Sequence, residues 1–177
     1  TPVTTPADVA RIHERLGVDD AWPVASEPFT QWVIEDRFPA GRPPLEQAGA
    51  MLVDDVEAYE AIKLRLLNAG HQALAYIGRL AGYELVDETV ADERIVAWVR
   101  RYMEREAVPT LAVPEGFDIP AYIDELFERF GNAHVADTLN RLGTDASNRI
   151  TAFVVPALRV RIAAGFDAET GAQLIAS

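Results

Sequence analysis

One long helix constrains the fold of this chain more than any other feature of its sequence. Apolar residues recur with the period of an α-helix from the pair Asp54-Asp55, either of which can cap the helix, to about Ala81, and Gly82 supplies a C-terminal stop. On an ideal helix each residue advances about 100°, and the apolar positions then form one continuous arc around the axis. We therefore expect this segment to be the central helix of the fold.

Shorter patterns predict the elements around that helix. Helical periodicity with capping residues indicates Pro6–Leu16, Asp92–Glu106, Pro120–Phe130 and Ala146–Ala164, with a kink at Pro156 in the last of these. Residues 166–175 resemble the opening of another helix. Alternating apolar and polar residues predict a strand within Glu27–Asp36 and a second short strand at Met51–Val53. The predicted class is mainly α and multi-helical, with a minor strand component.

The composition excludes several classes of function. The formal charge of −12 disfavours binding to nucleic acid and to anionic membranes. No apolar run approaches the roughly 18 residues of a membrane span, and the N-terminus lacks a signal pattern, so we expect a soluble, cytoplasmic protein. Cysteine is absent and the three histidines are far apart, which predicts no metal site.

Lys63 is the only lysine, against 15 arginines. On the ideal helix it falls inside the apolar arc, with His71 about 80° and Asn68 about 140° away. Desolvation disfavours the ammonium form, so Lys63 is predicted to give up its proton readily and to act as a general base and acid for an alcohol. Two other interpretations remain open: a lysine stem that runs along apolar surface to solvent, and a helical binding or interaction domain without chemistry.

The spacing of Lys63, Asn68 and His71 carries a family resemblance. It is similar to the signature of lysine, four residues, asparagine, two residues and histidine in the long-chain mannitol dehydrogenase family. Further blocks resemble that family in the expected order: Glu27–Asp36, Gly41-Arg42-Pro43, Ala81-Gly82-Tyr83 and Arg129-Phe130-Gly131-Asn132. The family includes mannitol 2-dehydrogenases and the fructuronate and tagaturonate reductases.

This resemblance implies a fold, a cofactor and a reaction. It implies that residues 1–177 form a C-terminal substrate domain, similar to the C-terminal domain of 6-phosphogluconate dehydrogenase. It also implies truncation at both ends and a nucleotide-binding domain, holding NAD or NADP, outside the chain. The implied reaction is a metal-independent interconversion of a sugar alcohol and a ketose. Lys63 would be the general acid and base, Asn68 would donate a hydrogen bond to the substrate oxygen, and His71 would orient the substrate.

A second block concerns substrate contacts. The stretch from Asp137 to Arg149 resembles the family block in which an arginine, and a lysine eight residues later, contact substrate hydroxyls. Arg141 matches the arginine, and Arg149 replaces the lysine with a different donor geometry. A uronate with a carboxylate is an alternative substrate to a polyol, because several arginines could bind it. The sequence leaves that choice, the cofactor form and the oligomeric state open.

Overall fold

A computed structural model of the chain describes residues 4–24, 26–27 and 29–177, and the chain divides into two compact units, Thr1–Leu52 and Val53–Ser177. The described residues are mainly helical, with one two-stranded sheet. This confirms the predicted fold class. No helix among the described residues has both the length and the apolar character that crossing a membrane requires.

The first unit begins with helix α1, Pro6–Leu16, as predicted. Thr5 caps it through a capping box with Asp8, and Gly17 ends it in the left-handed conformation. A 3₁₀ turn at Leu45–Ala48 follows later in this unit.

The predicted strands pair with each other. Strand β1, Trp32–Glu35, is shorter than the predicted segment, of which Pro28 lies outside the described residues, and it pairs with β2, Ala50–Val53.

The central helix of the second unit is confirmed in extent and differs in geometry. Helix α2, Glu57–Ile62, continues directly into a π-helical segment, Lys63–Asn68, and then into helix α3, Ala69–Ala81. We call Lys63–Asn68 the first π segment. Gly82 ends α3 with φ of 92°, as its position predicted. The prediction of one regular α-helix is therefore wrong at the six residues that carry Lys63 and Asn68.

The other elements pack around this helix. In chain order they are α4 Val86–Val90, α5 Glu93–Arg101, a second π segment Tyr102–Ala107, a 3₁₀ turn Val108–Thr110, α6 Ile119–Phe130, α7 Leu139–Leu142, α8 Ala146–Phe153, α9 Val155–Ala163 and α10 Glu169–Ala176. The short helices α4 and α7 were not predicted. Helix α10 confirms the predicted helix at the end of the sequence.

A break replaces the kink predicted near Pro156. The predicted helix Ala146–Ala164 is divided at Val154 into α8 and α9, and Pro156 lies in the first turn of α9. Proline has no N–H to donate to the carbonyl four residues earlier, so it is tolerated best at a helix start. The interruption therefore follows from Pro156, although its form differs from the prediction.

The core gathers along the faces of α3. Its buried positions include small residues that allow close approach: a Cβ at Gly78 would lie 2.7 Å from Thr89 Oγ1 of α4 and 2.8 Å from Leu139 Cδ1 of α7. Helices α4 and α7 are joined just before they begin by a β-bridge between Leu85 and Thr138. This packing holds the C-terminal half of α3 against α4 and α7.

Candidate functional site

The first π segment changes which residues of the central helix share a face. Hydrogen bonds from residue i to i+5 place one more residue in the turn than an α-helix has. The residues that follow are therefore rotated by about 100° relative to an uninterrupted helix. Asn68 and His71 consequently lie within about 40° of Lys63 around the axis, rather than about 140° and 80° from it. The π segment thus aligns the three residues of the signature.

The same rotation corrects the predicted burial of Lys63. Lys63 is exposed, so the expectation that it lies inside the apolar arc is wrong. Most apolar residues that flanked Lys63 on the ideal helix, such as Leu74 and Ile77, follow the π segment and are rotated away from it. Lys63 is left at the edge of the arc, next to the face that carries Asn68 and His71.

Asn68 and His71 open into a common cavity. The cavity has a volume of about 410 Å³ and lies between the central helix and the length of α8. Its walls also include Arg149 of α8, so three of the five predicted site residues line one space. The remaining lining residues are Gln72, Asp145, Asn148, Ala152 and Phe153.

His71 is kept neutral by its surroundings. Its ring lies against Phe130, with 4.7 Å between the ring centroids and 51° between the planes. Burial lowers the pKa of His71 to about 4; the positive charges of Arg141, Arg129 and Lys63 also lower it, and the negative charge of Asp137 opposes them. Near neutral pH the imidazole therefore has one N–H donor and one acceptor nitrogen. It can orient a hydroxyl group without competing for its proton.

The two predicted substrate arginines differ in their surroundings. Arg149 lines the cavity and donates to the carbonyl of Leu142 at 3.4 Å. Arg141 does not line it: its guanidinium forms a bidentate ion pair with Asp137, in which Nε donates to Oδ1 at 2.6 Å. The ion pair raises the pKa of Arg141, which stays charged. Of the two arginines predicted to contact the substrate, Arg149 is therefore the one that the structure places in the cavity.

Gln72, Asp145 and Asn148 were not predicted as site residues. Gln72 is buried, donates to the carbonyl of Leu142 at 3.2 Å and accepts from the hydroxyl of Tyr76 at 2.6 Å. Its hydrogen bonds fix the wall of the cavity. The sequence contained only one indication that these residues belong to the site: Gln72 is next to His71, and Asn148 is next to Arg149. It was insufficient because the pairing of α3 with α8 joins residues about 75 positions apart.

Comparison with known proteins identifies the family. Residues 55–177 match the family model described as "Mannitol dehydrogenase C-terminal domain". The chain belongs to this family. The resemblance seen in the sequence is thereby confirmed, and the cavity lies entirely within the matched mannitol dehydrogenase C-terminal domain.

Relatives of this mannitol dehydrogenase domain include fungal and bacterial proteins. The mannitol 2-dehydrogenase of Aspergillus terreus (strain NIH 2624 / FGSC A1156) is 44% identical over 161 residues, which are 89% of this chain and 32% of that protein. The polyol:NADP oxidoreductase of Gluconobacter oxydans (strain 621H) is 39% identical over 159 residues, 90% of this chain and 33% of that protein. The chain therefore spans about a third of the length of the curated relatives it matches.

Two solved structures share the fold. One is the Pseudomonas fluorescens mannitol 2-dehydrogenase in a ternary complex with NAD and D-mannitol: the TM-score is 0.88 and the identity 44%, covering 99% of this chain and 36% of that one. The other is a D-sorbitol dehydrogenase in substrate-free form, with a TM-score of 0.93, 36% identity and the same coverage. In the part of the mannitol dehydrogenase domain that the structure describes, no three acidic or histidine side chains gather as a metal site would need.

Proposed function

We propose that the chain is the substrate-binding and proton-transferring part of an NAD- or NADP-dependent polyol dehydrogenase that interconverts a sugar alcohol and a ketose. The observation that carries this proposal is the cavity shared by Asn68, His71 and Arg149. Asn68 and His71 lie about one and about two helical turns after Lys63, on the same face of the central helix. Family membership supports the same reaction, because relatives are mannitol 2-dehydrogenases and a polyol oxidoreductase.

Three residues of the central helix have separate roles in the oxidation of an alcohol. Lys63 removes the proton of the reacting hydroxyl as the ketone forms and returns it in the reverse direction. The amide of Asn68 donates a hydrogen bond to the same oxygen, where negative charge develops. His71, neutral because burial lowers its pKa to about 4, orients the oxygen and leaves the proton transfer to Lys63.

The cavity suits a cofactor that is brought from outside the chain. Three of its lining residues, Asp145, Asn148 and Ala152, are exposed, so one side is open to an approaching ring. The chain has no glycine-rich phosphate loop after a strand, and we place dinucleotide binding in a nucleotide-binding domain outside residues 1–177. When bound, the nicotinamide supplies the hydride acceptor or donor. This chain supplies the substrate cavity and the proton.

Polyol binding fits the polar lining of the cavity. A hydroxyl group both donates and accepts, and Arg149 offers donors at the cavity wall. Arg141 is held in its ion pair with Asp137. For Arg141 we propose contact with a substrate hydroxyl through a guanidinium N–H that the ion pair does not use.

The test is the activity of the full-length protein after removal of the Lys63 amine. Lys63→Ala is expected to lower kcat for oxidation of D-mannitol by roughly 10² to 10⁴-fold, the usual contribution of a general acid or base. Added primary amines should restore part of the rate, because they can reach an exposed position. Arg159→Ala, which removes an exposed cation of α9 away from the cavity, is the matched control and should retain activity.

The same experiment separates this function from a non-catalytic binding domain. If no polyol or ketose is turned over with either cofactor, or if Lys63→Ala retains the wild-type rate, the proposed role of Lys63 is wrong.

A uronate reductase is the second candidate, and Arg149 is the observation that favours it. Arg149 lines the cavity and forms no ion pair with a carboxylate among residues 4–24, 26–27 and 29–177, so it is available to a substrate carboxylate. The full-length protein with NADH or NADPH decides between the two: a higher kcat/KM for D-fructuronate than for D-fructose, lost in Arg149→Leu, would identify the uronate as the substrate.

A further inference from the structure

Asp145 has an unusual backbone for its place in the fold. It precedes α8 at the capping position with φ of 58° and ψ of 39°, in the left-handed region that is uncommon for residues with a Cβ, although aspartate adopts it more readily than most. Ala136 is the only other non-glycine residue with positive φ in the described part of the chain. Such conformations cost free energy and persist where the surrounding structure requires them, often at functional sites.

The carboxylate of Asp145 does not serve the helix that it precedes. A capping aspartate usually adopts an extended backbone and accepts a hydrogen bond from an N–H of the first turn. Asp145 makes no such bond. Its Oδ1 accepts instead from the side-chain amide of Asn148 at 2.7 Å. The second carboxylate oxygen receives no hydrogen bond or ion pair from any described residue, so it is available to a ligand.

That carboxylate belongs to the wall of the substrate cavity. Asp145 and Asn148 line it together with Arg149, and Asp145 forms no ion pair with Arg149 within the described ranges. One wall therefore presents a carboxylate acceptor and a cationic donor that form no ion pair with each other. A carbon chain with a hydroxyl on every carbon matches this pair, because each hydroxyl can donate to a carboxylate and accept from a guanidinium.

We propose that Asp145, held in place by Asn148, is a substrate-binding residue that accepts a hydrogen bond from a hydroxyl of the polyol or ketose distant from the reacting carbon. The carboxylate caps no backbone N–H of α8, and its hydrogen bond from Asn148 holds it at the cavity wall. This inference rests on the proposed function and assigns one more contact within the same site.

The test combines a substitution at Asp145 with removal of single hydroxyl groups from the substrate. In the full-length protein, Asp145→Asn is expected to lower kcat/KM for D-mannitol roughly ten- to hundredfold, mainly through KM, since a hydrogen bond to a charged group is lost. For one monodeoxy analogue of D-mannitol, the one that lacks the hydroxyl bound by Asp145, the same substitution should change kcat/KM by less than about twofold. The other analogues should show the full effect.

Two further variants separate substrate binding from folding. Asp145→Gly removes the carboxylate at a backbone conformation that glycine adopts freely, so it should fold and show the same pattern across the analogues. Ala136→Gly relaxes the other left-handed residue, which is exposed and outside the cavity, and should leave every kcat/KM unchanged.

The outcomes distinguish this inference from the proposed function. If the wild type turns over D-mannitol but Asp145→Asn has no effect on kcat/KM, or the same effect for every analogue, the substrate contact of Asp145 is wrong. The proposed function is not affected by that outcome. Failure of the wild type to turn over any polyol would overturn the proposed function and this inference with it.

Discussion

At the scale of single residues, His71 links the site to stability. Burial lowers its pKa from the ordinary histidine value of about 6.5 to about 4 in the folded state, so the unfolded chain binds more protons between these values. The stabilising contribution of the neutral imidazole is therefore complete above pH 6.5 and is lost as the pH falls towards 4. We expect the free energy of unfolding to drop by about 2 kcal/mol between pH 7 and pH 5 from this residue alone.

Denaturant unfolding at several pH values checks this prediction. His71→Gln cannot take up the proton and should remove most of that pH dependence, whereas His134→Gln, at an exposed position, should retain it. Equal pH dependence in the wild type and His71→Gln would show that the imidazole is not desolvated as the structure indicates.

The residues also show what a sequence can and cannot predict about a site. The spacing of Lys63, Asn68 and His71 was sufficient to identify the family, and the lining of the cavity by Asn68 and His71 agrees with it. The burial of Lys63 was wrong because an ideal helix was assumed through a π segment, whose i to i+5 bonds have no recognised signal in composition or period. Which of Arg141 and Arg149 is accessible to a substrate depends on the ion pair between Arg141 and Asp137. Residue spacing alone did not show which of the two arginines is paired.

At the scale of elements, capping and periodicity predicted the long helices well and the connections poorly. Helices α1 and α6 begin and end within a residue of the predicted bounds, and α3 ends at the predicted Gly82, because those signals are local. Helices α4 and α7 are five and four residues long, too short to show a period, and they are held by the Leu85–Thr138 bridge between distant parts of the chain. Their existence is a tertiary effect that local pattern does not contain.

Helix α10 provides the prediction at this scale. Its first turn is held by Glu106 of the second π segment, a buried residue whose carboxylate accepts from the N–H groups of Thr170 at 2.7 Å and Gly171 at 2.8 Å. Glu106→Gln retains the shape but replaces one acceptor oxygen with an NH₂ group that faces an N–H donor. We expect it to destabilise the domain by about 2 kcal/mol, since a charge-assisted bond is lost and a buried donor is left without a partner.

Hydrogen exchange of the α10 amides measures this effect directly. The exchange of α10 should accelerate in Glu106→Gln more than that of α3. Glu104→Gln, an exposed neighbour in the same π segment, is the matched control and should exchange as the wild type does. Unchanged α10 protection in Glu106→Gln would mean that apolar packing, such as the burial of Leu174, holds the helix without the carboxylate.

At the scale of the whole molecule, the hydrophobic core is distributed unequally between the two units. Pro23 and Ala50 are the only buried apolar residues described before Val53, whereas the others lie in Val53–Ser177, and the family model begins at residue 55. Several large apolar side chains of the first unit are exposed, with Trp22 at 74% and Trp32 at 51%. Since buried apolar area is the main source of folding free energy, the second unit should contain what it needs to fold alone.

A fragment of residues 53–177 is therefore expected to retain its helices and to unfold cooperatively, with the mean residue ellipticity at 222 nm and the Tm from circular dichroism as the measurements. A fragment of residues 64–177 is the matched control: it removes α2 and Lys63, deletes the buried Ile62 and cuts the first π segment after its first residue, so it should lose cooperative unfolding. If residues 53–177 fail to fold while residues 1–177 fold, the first unit contributes stability that its few buried residues do not explain. If residues 53–177 fold, the cavity can be studied on this fragment, and D-mannitol binding by the fragment could then be compared with turnover by the full-length protein.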